Sequence, residues 1–171
     1  MCAYRLGLVS VSFRAHTPEE ILQAMKETKL DYIEWGGDVH APSNEPEKIR
    51  HIAALQKNYG VCCSSYGSYF RIGMSPLADL EPICAAAKAL GTNIVRLWAG
   101  NEGSAAYTAE KKNAFFSVCR EIAEIGKKQE VIFCMECHNW TFTDTKETAL
   151  ELMKAVHSPH FKMYWQPNQF K

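Results

Sequence analysis

The stretches Asn93-Ile-Val-Arg-Leu-Trp98 and Val131-Ile-Phe-Cys-Met-Glu136 decide the fold, together with the segment between them. Both are short apolar runs of the kind that form buried strands. Between them, apolar residues recur at spacings of three and four and form one stripe: Phe115, Val118, Cys119, Ile122 and Ile125. That period predicts an amphipathic helix. A strand, a helix and a second strand predict a parallel βαβ unit with a right-handed crossover.

The same alternation continues on both sides of this unit. Thr17-Pro-Glu-Glu20 has the form of a capping box with proline at the first helical position, so a helix is predicted to begin there. A second helix is predicted from Pro46 to Asn58, closed by Gly60, and a third from about Asp79 to Gly91. The other strands are predicted at Arg5 to Phe13, Tyr32 to Gly36, Val61 to Tyr66 and Phe161 to Asn168, and a fifth helix carries Ala149, Leu152, Met153 and Val156.

Six strands and five helices in alternation predict the α/β class, and within it a barrel of the TIM (β/α)8 type. Such a barrel closes with eight strands. The chain therefore reads as an incomplete barrel with about six of the eight βα units, and residues 1–171 are expected to form a single partial domain because no linker interrupts them. Strands one and six would lack their usual neighbours, so the chain is expected to be a homo-oligomer, a fragment associated with its missing part, or a marginally stable and aggregation-prone monomer.

Composition limits the classes of partner. The 171 residues are 47% hydrophobic and carry 19 basic and 19 acidic side chains, and the longest basic run is the pair Lys127-Lys128. Nucleic-acid-binding proteins usually show a basic face, so DNA or RNA is not expected as a partner.

No stretch approaches the roughly 20 apolar residues of a membrane span. The seven cysteines are irregularly spaced, which favours reduced thiols and a cytoplasmic protein.

The residues at the end of the fifth strand are the first candidates for chemistry. In parallel barrels the catalytic groups lie at the C-terminal ends of the strands. Glu136 and His138 fall on one face there, since side chains alternate along a strand. A carboxylate in that place can bind a divalent cation and move a proton next to a carbonyl. Alternatively, Glu136 is a structural carboxylate paired with a neighbouring arginine, and His138 either contacts substrate hydroxyls, orients Glu136 or is structural.

Further candidates follow from the other strand ends. Tyr164, Gln166 and Asn168 share a face of strand six, and Gln166 could supply an amide oxygen to a cation or contact a substrate. Glu34 and Arg96 could face the same interior, or could pair with each other as a buried ion pair. The remaining candidates for gripping a polyol are a loop acid, a loop histidine and two aromatic residues at strand ends: Asp38, His40, Tyr66 and Trp98.

With these residues placed, the chain resembles the xylose-isomerase-like barrel superfamily, the sugar phosphate isomerase/epimerase group that also includes endonuclease-IV-type repair enzymes. The segments that carry the resemblance are Tyr32-Ile-Glu-Trp-Gly-Gly37, Ser64-Ser-Tyr-Gly-Ser68, Arg96-Leu-Trp-Ala-Gly100, Glu136-Cys-His138 and Tyr164-Trp-Gln-Pro-Asn168. The resemblance implies a divalent metal bound by acids on strands five and six, a histidine on strand seven and a glutamate on strand eight. Glu136 matches the first of these positions, and Gln166 matches the second, where aspartate is usual.

The resemblance implies a sugar or sugar-phosphate isomerase or epimerase that uses a divalent ion (Mn, Co, Mg or Zn) and carboxylate-mediated proton transfer through an enediolate. Its partner would be a small-molecule sugar or sugar phosphate. The positions on strands seven and eight have no counterpart in these residues, so the site would be incomplete. One alternative is a non-catalytic barrel that binds a polyol. Another is a metal hydrolase acting at apurinic sites, which the neutral charge disfavours.

Overall fold

The computed structural model of the protein describes residues 4–166. The described chain packs as two compact units that interleave along the sequence. The first unit contains residues 4–68 and 81–94, and the second contains residues 69–80 and 95–166.

The first unit is built from short parallel strands and the helices that cover them. Its strands are β1 (Gly7–Val9), β2 (Tyr32–Gly36) and most of β3 (Cys62–Arg71). Its helices are α1 (Pro18–Thr28), α2 (Pro46–Tyr59) and, from its second residue onward, α3 (Leu80–Ala89). Each helix buries its apolar face, and the side chains sealed in this core include Leu22, Met25, Ile33, Trp35 and Ile52.

The second unit begins with the last three residues of β3 and continues with β4 (Ile94–Trp98) from Val95 onward. It then contains α4 (Ala109–Gln129), β5 (Ile132–Met135), α5 (Lys146–Val156) and β6 (Phe161–Met163). The stripe predicted on α4 is confirmed at Phe115, Cys119 and Ile122, which are buried with Leu97, Phe133 and Phe142.

Within residues 4–166 the six strands form one parallel sheet in the order β1-β2-β3-β4-β5-β6. This order, with a helix after each of the first five strands, is that of a partial TIM barrel and confirms the predicted α/β fold class. The register is regular between β5 and β6, where Phe133 lies opposite Phe161. It shifts once between β2 and β3, so that Glu34 lies opposite Ser65.

Helix ends confirm the signals predicted from side chains. The Thr17 hydroxyl accepts from the Glu20 N–H, and the Glu20 carboxylate accepts from the Thr17 N–H at 2.7 Å, which completes the capping box. Gly60 closes α2 with φ of +70°, a left-handed conformation that glycine adopts without steric cost. Local chemistry therefore specified where these helices begin and end.

Three strands differ markedly in length from their predictions. β1 stops at Val9 because residues Ser10–Phe13 turn into a short 3-10 helix, and the Ser10 hydroxyl accepts from the Gly36 N–H at 2.8 Å. β3 runs on to Arg71, beyond the predicted end at Tyr66. β6 ends at Met163, and Asn168, which was predicted to close that strand, lies outside the described residues.

In the part of the chain that the structure describes, no helix combines the length and apolar character needed to cross a membrane.

Candidate active site

Four polar and aromatic residues of the second unit meet where β4 and β5 end. We call Arg96, Trp98, Glu136 and His138 the Glu136 cluster. Arg96 forms an ion pair with the Glu136 carboxylate, and the side chains of the pair are only 7% and 15% exposed. The Trp98 Nε1–H donates to Oε2 of the same carboxylate at 2.8 Å. The carboxylate is therefore held by a cation and a neutral donor while keeping some access to solvent.

Hydrogen bonds of the backbone after β5 fix the position of Glu136. The strand ends at Met135, but the Glu136 N–H still donates to the Leu97 carbonyl at 3.2 Å. The Glu136 carbonyl accepts from the Thr143 hydroxyl at 2.7 Å, and the His138 carbonyl accepts from the Thr141 hydroxyl at 2.7 Å. The threonine hydroxyls thus donate to backbone carbonyls that follow the strand and no longer pair with a neighbouring strand.

The Trp98 indole organises the aromatic side of the cluster. The His138 ring stacks on it with centroids 4.7 Å apart and planes 21° apart, and the Tyr69 ring lies at 5.7 Å. The guanidinium carbon of Arg71 lies over the indole, 3.7 Å from its centroid. Because the face of an indole is electron-rich, this stack stabilises the cation.

Sequence reasoning did not single out Arg71 or Tyr69. Both belong to β3 in the structure, whereas the sequence predicts that this strand ends at Tyr66. The available signal was a basic residue next to aromatic residues in a stretch expected to follow a strand end, where binding residues concentrate.

Gln166 lies beside the backbone that follows Glu136. Its side-chain N–H donates to the Cys137 carbonyl at 2.7 Å, which fixes the orientation of the amide. Its oxygen and the Glu136 carboxylate are the two oxygen donors that the sequence predicted for a metal.

Two such donors do not make a divalent-cation site. Calcium takes six to eight oxygen ligands, and magnesium near-octahedral coordination. Within residues 4–166 no group of three or more His, Cys, Asp and Glu side chains is placed to hold an ion. Arg96 also balances the negative charge of Glu136. The described residues alone therefore do not fit a bound metal, and no reaction step is assigned to one.

Four other predicted site residues lie in the first unit, each with contacts of its own. Asp38 forms an ion pair with Arg14. Glu34 is buried and accepts from the Ser65 hydroxyl at 2.7 Å. Tyr66 is buried, its hydroxyl donates to the Ala41 carbonyl at 2.7 Å, and burial raises its pKa to about 12. Their side chains are thus engaged within the core of this unit.

His40 is also buried, and both of its ring nitrogens are used. Nε2 lies 3.1 Å from the His16 carbonyl, which can only accept, so Nε2 carries the proton. Nδ1 then accepts from the Ser10 hydroxyl at 3.1 Å. Burial lowers the pKa of His40, because the charged imidazolium would lose its hydration. His40 is therefore a neutral histidine that ties the turn after β1 to the loop after β2.

The comparisons with known proteins agree with this architecture. Residues 22–170 match the family model described as xylose isomerase-like TIM barrel. A 3-dehydroshikimate dehydratase from Bacillus anthracis is 26% identical over 170 residues, which cover 93% of this chain and 60% of that protein. The chain thus spans about three fifths of the length of the relative it matches.

Solved structures show the same similarity. The crystal structure of the probable 3-DHS dehydratase AsbF, involved in petrobactin synthesis in Bacillus anthracis, superposes with a TM-score of 0.81 at 25% identity, over 94% of this chain and 62% of that one. A xylose isomerase-like TIM barrel protein from Mycobacterium smegmatis, in complex with magnesium, superposes with a TM-score of 0.70 at 14% identity, over 94% and 64%. The chain belongs to the xylose isomerase-like TIM barrel family.

Proposed function

We propose that this chain is part of an enzyme that removes a proton from the carbon next to a carbonyl group in a small, polyhydroxylated substrate. The observation that supports the proposal is the Glu136 carboxylate at the end of β5, held at Oε2 by Arg96 and Trp98 and still partly exposed. A carboxylate can act as a general base, and an adjacent guanidinium stabilises an oxyanion that develops beside it.

In the proposed step, Glu136 takes the proton from the carbon acid and the electron pair moves onto the carbonyl oxygen, giving an enolate. Arg96 lies close enough to Glu136 to offset the charge of that oxygen. Trp98 keeps the carboxylate aimed by its N–H donor, and the stacked His138 ring is a second proton carrier within the cluster.

The enolate has two chemically simple fates. If the neighbouring carbon carries a hydroxyl group, loss of that group with a proton releases water and leaves a conjugated product. The similarity to a 3-dehydroshikimate dehydratase, at 26% identity over 93% of the chain, supports this fate. We therefore propose dehydration of a cyclic hydroxy-keto acid as the first candidate reaction.

Return of a proton to the opposite face of the same carbon gives an epimer instead. If that carbon carries a hydroxyl group, transfer of the hydroxyl proton to the former carbonyl oxygen, followed by return of the carbon proton to the former carbonyl carbon, gives an isomer. This second candidate follows from the sugar isomerase/epimerase chemistry that the family resemblance implies, and it requires the same first step at Glu136. A divalent cation would assist either fate by polarising the carbonyl. For this chain its other ligands would have to come from outside the described residues.

Deuterium exchange tests the shared first step. The 171-residue protein is incubated in D2O with 3-dehydroshikimate or with a panel of ketoses, with and without Mn2+, Mg2+, Co2+ or Zn2+. Proton NMR should show loss of the signal next to the carbonyl, and ultraviolet absorbance should report a conjugated product if water is lost. Glu136→Gln should reduce exchange to background, whereas Glu121→Gln, an exposed acid on α4, should not. Exchange in the parent no faster than in Glu136→Gln, for every substrate, would overturn the proposal.

A further inference from the structure

Arg71 ends β3 with its side chain fixed at two points. Its guanidinium lies over the Trp98 indole, with the central carbon 3.7 Å from the ring centroid. Its Nη1 donates to the Gly100 carbonyl at 3.2 Å. The backbone is fixed as well, since the Arg71 N–H donates to the Ser75 hydroxyl at 3.1 Å and the Ser75 N–H returns to the Arg71 carbonyl at 2.9 Å. The cation is thus held in place before any ligand arrives.

Among the residues that the structure describes, Arg71 has no carboxylate partner. The other cations of the second unit that form ion pairs do so with specific acids: Arg96 with Glu136, Lys111 with Glu102, and Lys112 with Glu151. Arg71 is half-buried, and the loss of hydration lowers its pKa, although an arginine stays charged at any physiological pH. A partly desolvated cation that lacks an acidic partner is stabilised when an anion binds to it.

Arg71 and Glu136 share one indole ring. The Arg71 guanidinium lies over the ring of Trp98, and the Nε1–H of the same ring donates to Glu136 at 2.8 Å. Because both groups contact one ring, they lie about one indole apart, which is the scale of a six-carbon sugar or a six-membered cyclic acid. Arg96 is a poorer anchor for a second anion, because its guanidinium already pairs with Glu136 and lies where the proposed oxyanion develops.

We propose that Arg71 anchors an anionic group of the substrate, a carboxylate or a phosphate, and thereby presents the carbon acid to Glu136. This inference rests on the proposed function. The planar guanidinium carries five N–H donors in a fork that matches both kinds of anion, and stacking on an indole leaves the edge donors that do not bond to Gly100 available. The enzyme would then select hydroxylated acids or sugar phosphates over uncharged sugars.

The competing explanation is that Arg71 only ties the end of β3 to Gly100. Gly100 has φ of +83°, and a Cβ atom added there would lie 2.6 Å from the Tyr107 hydroxyl, so this turn is already constrained without the arginine. A purely structural arginine would affect stability but not the preference for charged ligands. Ligand preference is therefore the informative readout.

Calorimetry on the whole 171-residue chain measures that preference with three probes: shikimate, its uncharged methyl ester, and fructose 6-phosphate. The parent should bind at least one of the two anions about tenfold or more tightly than the ester, since hydrogen bonds to charged groups are the strong ones. Tighter binding of shikimate would identify a carboxylate substrate, and tighter binding of the phosphate would identify a sugar phosphate. Binding should also weaken as salt is added.

The variants separate the explanations. Arg71→Met should remove the preference for anions while the thermal unfolding temperature identifies any structural loss, and Arg71→Lys, which keeps the charge without the fork, should retain part of it. Arg120→Met removes an exposed arginine of the same unit that donates to the Ala155 carbonyl, and it should leave the preference unchanged. Equal binding of ester and anions by the parent, or no binding of either anion, would overturn the role of Arg71.

The two proposals fail separately. If anion binding depends on Arg71 but no substrate exchanges deuterium, the anchor stands and the proton-transfer function falls. If uncharged ketoses exchange deuterium as fast as the charged substrates, and Arg71→Met exchanges as fast as the parent, the function stands and the anchor falls.

Discussion

At the scale of single residues, the Glu136 carboxylate illustrates how one side chain combines a structural partner with a chemical role. Sequence reasoning offered either a site carboxylate or a structural acid paired with an arginine. The structure contains the arginine pair. Trp98 also donates to the carboxylate, and His138 and Arg71 stack on the Trp98 ring. A buried ion pair alone is weak evidence for function. The convergence of polar groups on a strand end of this fold is what favours chemistry there.

We expect Glu136→Gln to abolish proton exchange and to lower the free energy of unfolding by about 1–3 kcal/mol. The amide is almost isosteric, but it leaves the buried Arg96 without its anionic partner. Urea unfolding and deuterium exchange measure the two effects. Glu121→Gln is the control for both. A deuterium-exchange rate in Glu136→Gln within about tenfold of the parent rate would correspond to a small loss of transition-state stabilisation. That result would contradict the assignment of Glu136 as the base.

His40 predicts how stability depends on pH. Because burial lowers the pKa of His40 in the folded chain, the unfolded chain binds a proton first as the pH falls. Its contribution to stability is therefore complete above the unfolded pKa of about 6.5 and decreases below it. Urea unfolding between pH 7.5 and pH 5.5, on the order of one pH unit either side of that value, should show the decrease.

The matched variants are His40→Gln and His51→Gln, the latter on the exposed side of α2. The His40→Gln variant should be less stable at neutral pH, and its free energy of unfolding should fall less than that of the parent as the pH is lowered. The His51→Gln variant should behave like the parent. A decrease of equal size in His40→Gln would show that other groups cause it.

At the scale of elements, the helices were predictable because their signals are local. The capping box at Thr17 and Glu20 and the glycine at Gly60 act within a few residues of the helix ends they specify. Strand ends were predicted less well, because distant partners determine them. β1 ends where Ser10 bonds the backbone of Gly36, and hydroxyls of Thr141 and Thr143 take over carbonyls after β5. Such contacts leave no periodic signal in the sequence.

The capping box supplies an element-scale prediction. Thr17→Ala should lower the free energy of unfolding by about 1 kcal/mol, because the Glu20 N–H loses its acceptor at the start of α1. Thr28→Ala is the control on the same helix, since Thr28 bonds the Ala24 carbonyl and alanine is a better helix former. Chemical denaturation compares the two. An equal or larger loss in Thr28→Ala would contradict the role of the box.

At the scale of the whole molecule, the fold class followed from the βαβ alternation, whereas the site was only partly predictable. Arg96, Trp98, Glu136 and His138 come together as strand-end residues, and Gln166 lies beside them. Tyr66 and His40 were predicted as polyol contacts, but in this structure their polar atoms bond to neighbouring protein groups. A sequence does not reveal whether the polar group of a side chain at a strand end faces solvent or forms a hydrogen bond within the protein. The substrate-contact role of these residues stays a prediction.

Divalent cations should bind this chain weakly, with dissociation constants on the order of millimolar or weaker, since Glu136 and Gln166 provide too few ligands. Gln166→Asp places a second carboxylate at the position where the family resemblance expects one, and it should tighten binding. Asn139→Asp adds the same charge in the neighbouring loop and should not. Calorimetry with Mn2+, Mg2+ and Zn2+ makes the comparison. Tight binding by the parent would show that the ligand set is larger than Glu136 and Gln166.

The sheet has β1 and β6 as its end strands within residues 4–166. End strands present unpaired backbone groups that recruit other strands. We expect concentration-dependent self-association, measured by light scattering over a dilution series. Val9→Lys, which puts a charge on the partly exposed β1, should reduce it, whereas Leu150→Lys on the exposed face of α5 should not. A monomer at every concentration, with slow hydrogen exchange in both end strands, would refute the expectation.

The stacked indole of Trp98 also has an optical consequence. Two of the four tryptophans, Trp140 and Trp165, are 76% and 90% exposed, whereas Trp35 is fully buried. Water-soluble quenchers such as iodide should therefore reduce the fluorescence of Trp140 and Trp165 and leave the fluorescence of Trp35 unchanged. The emission that resists quenching in the parent comes from Trp35 and Trp98, and in a Trp98→Phe variant it comes from Trp35. The difference between the two is the emission of Trp98, whose indole contacts His138 and Arg71. A ligand that binds beside these side chains should change that emission, so Trp98 is an intrinsic fluorescent reporter of ligand binding at the Glu136 cluster.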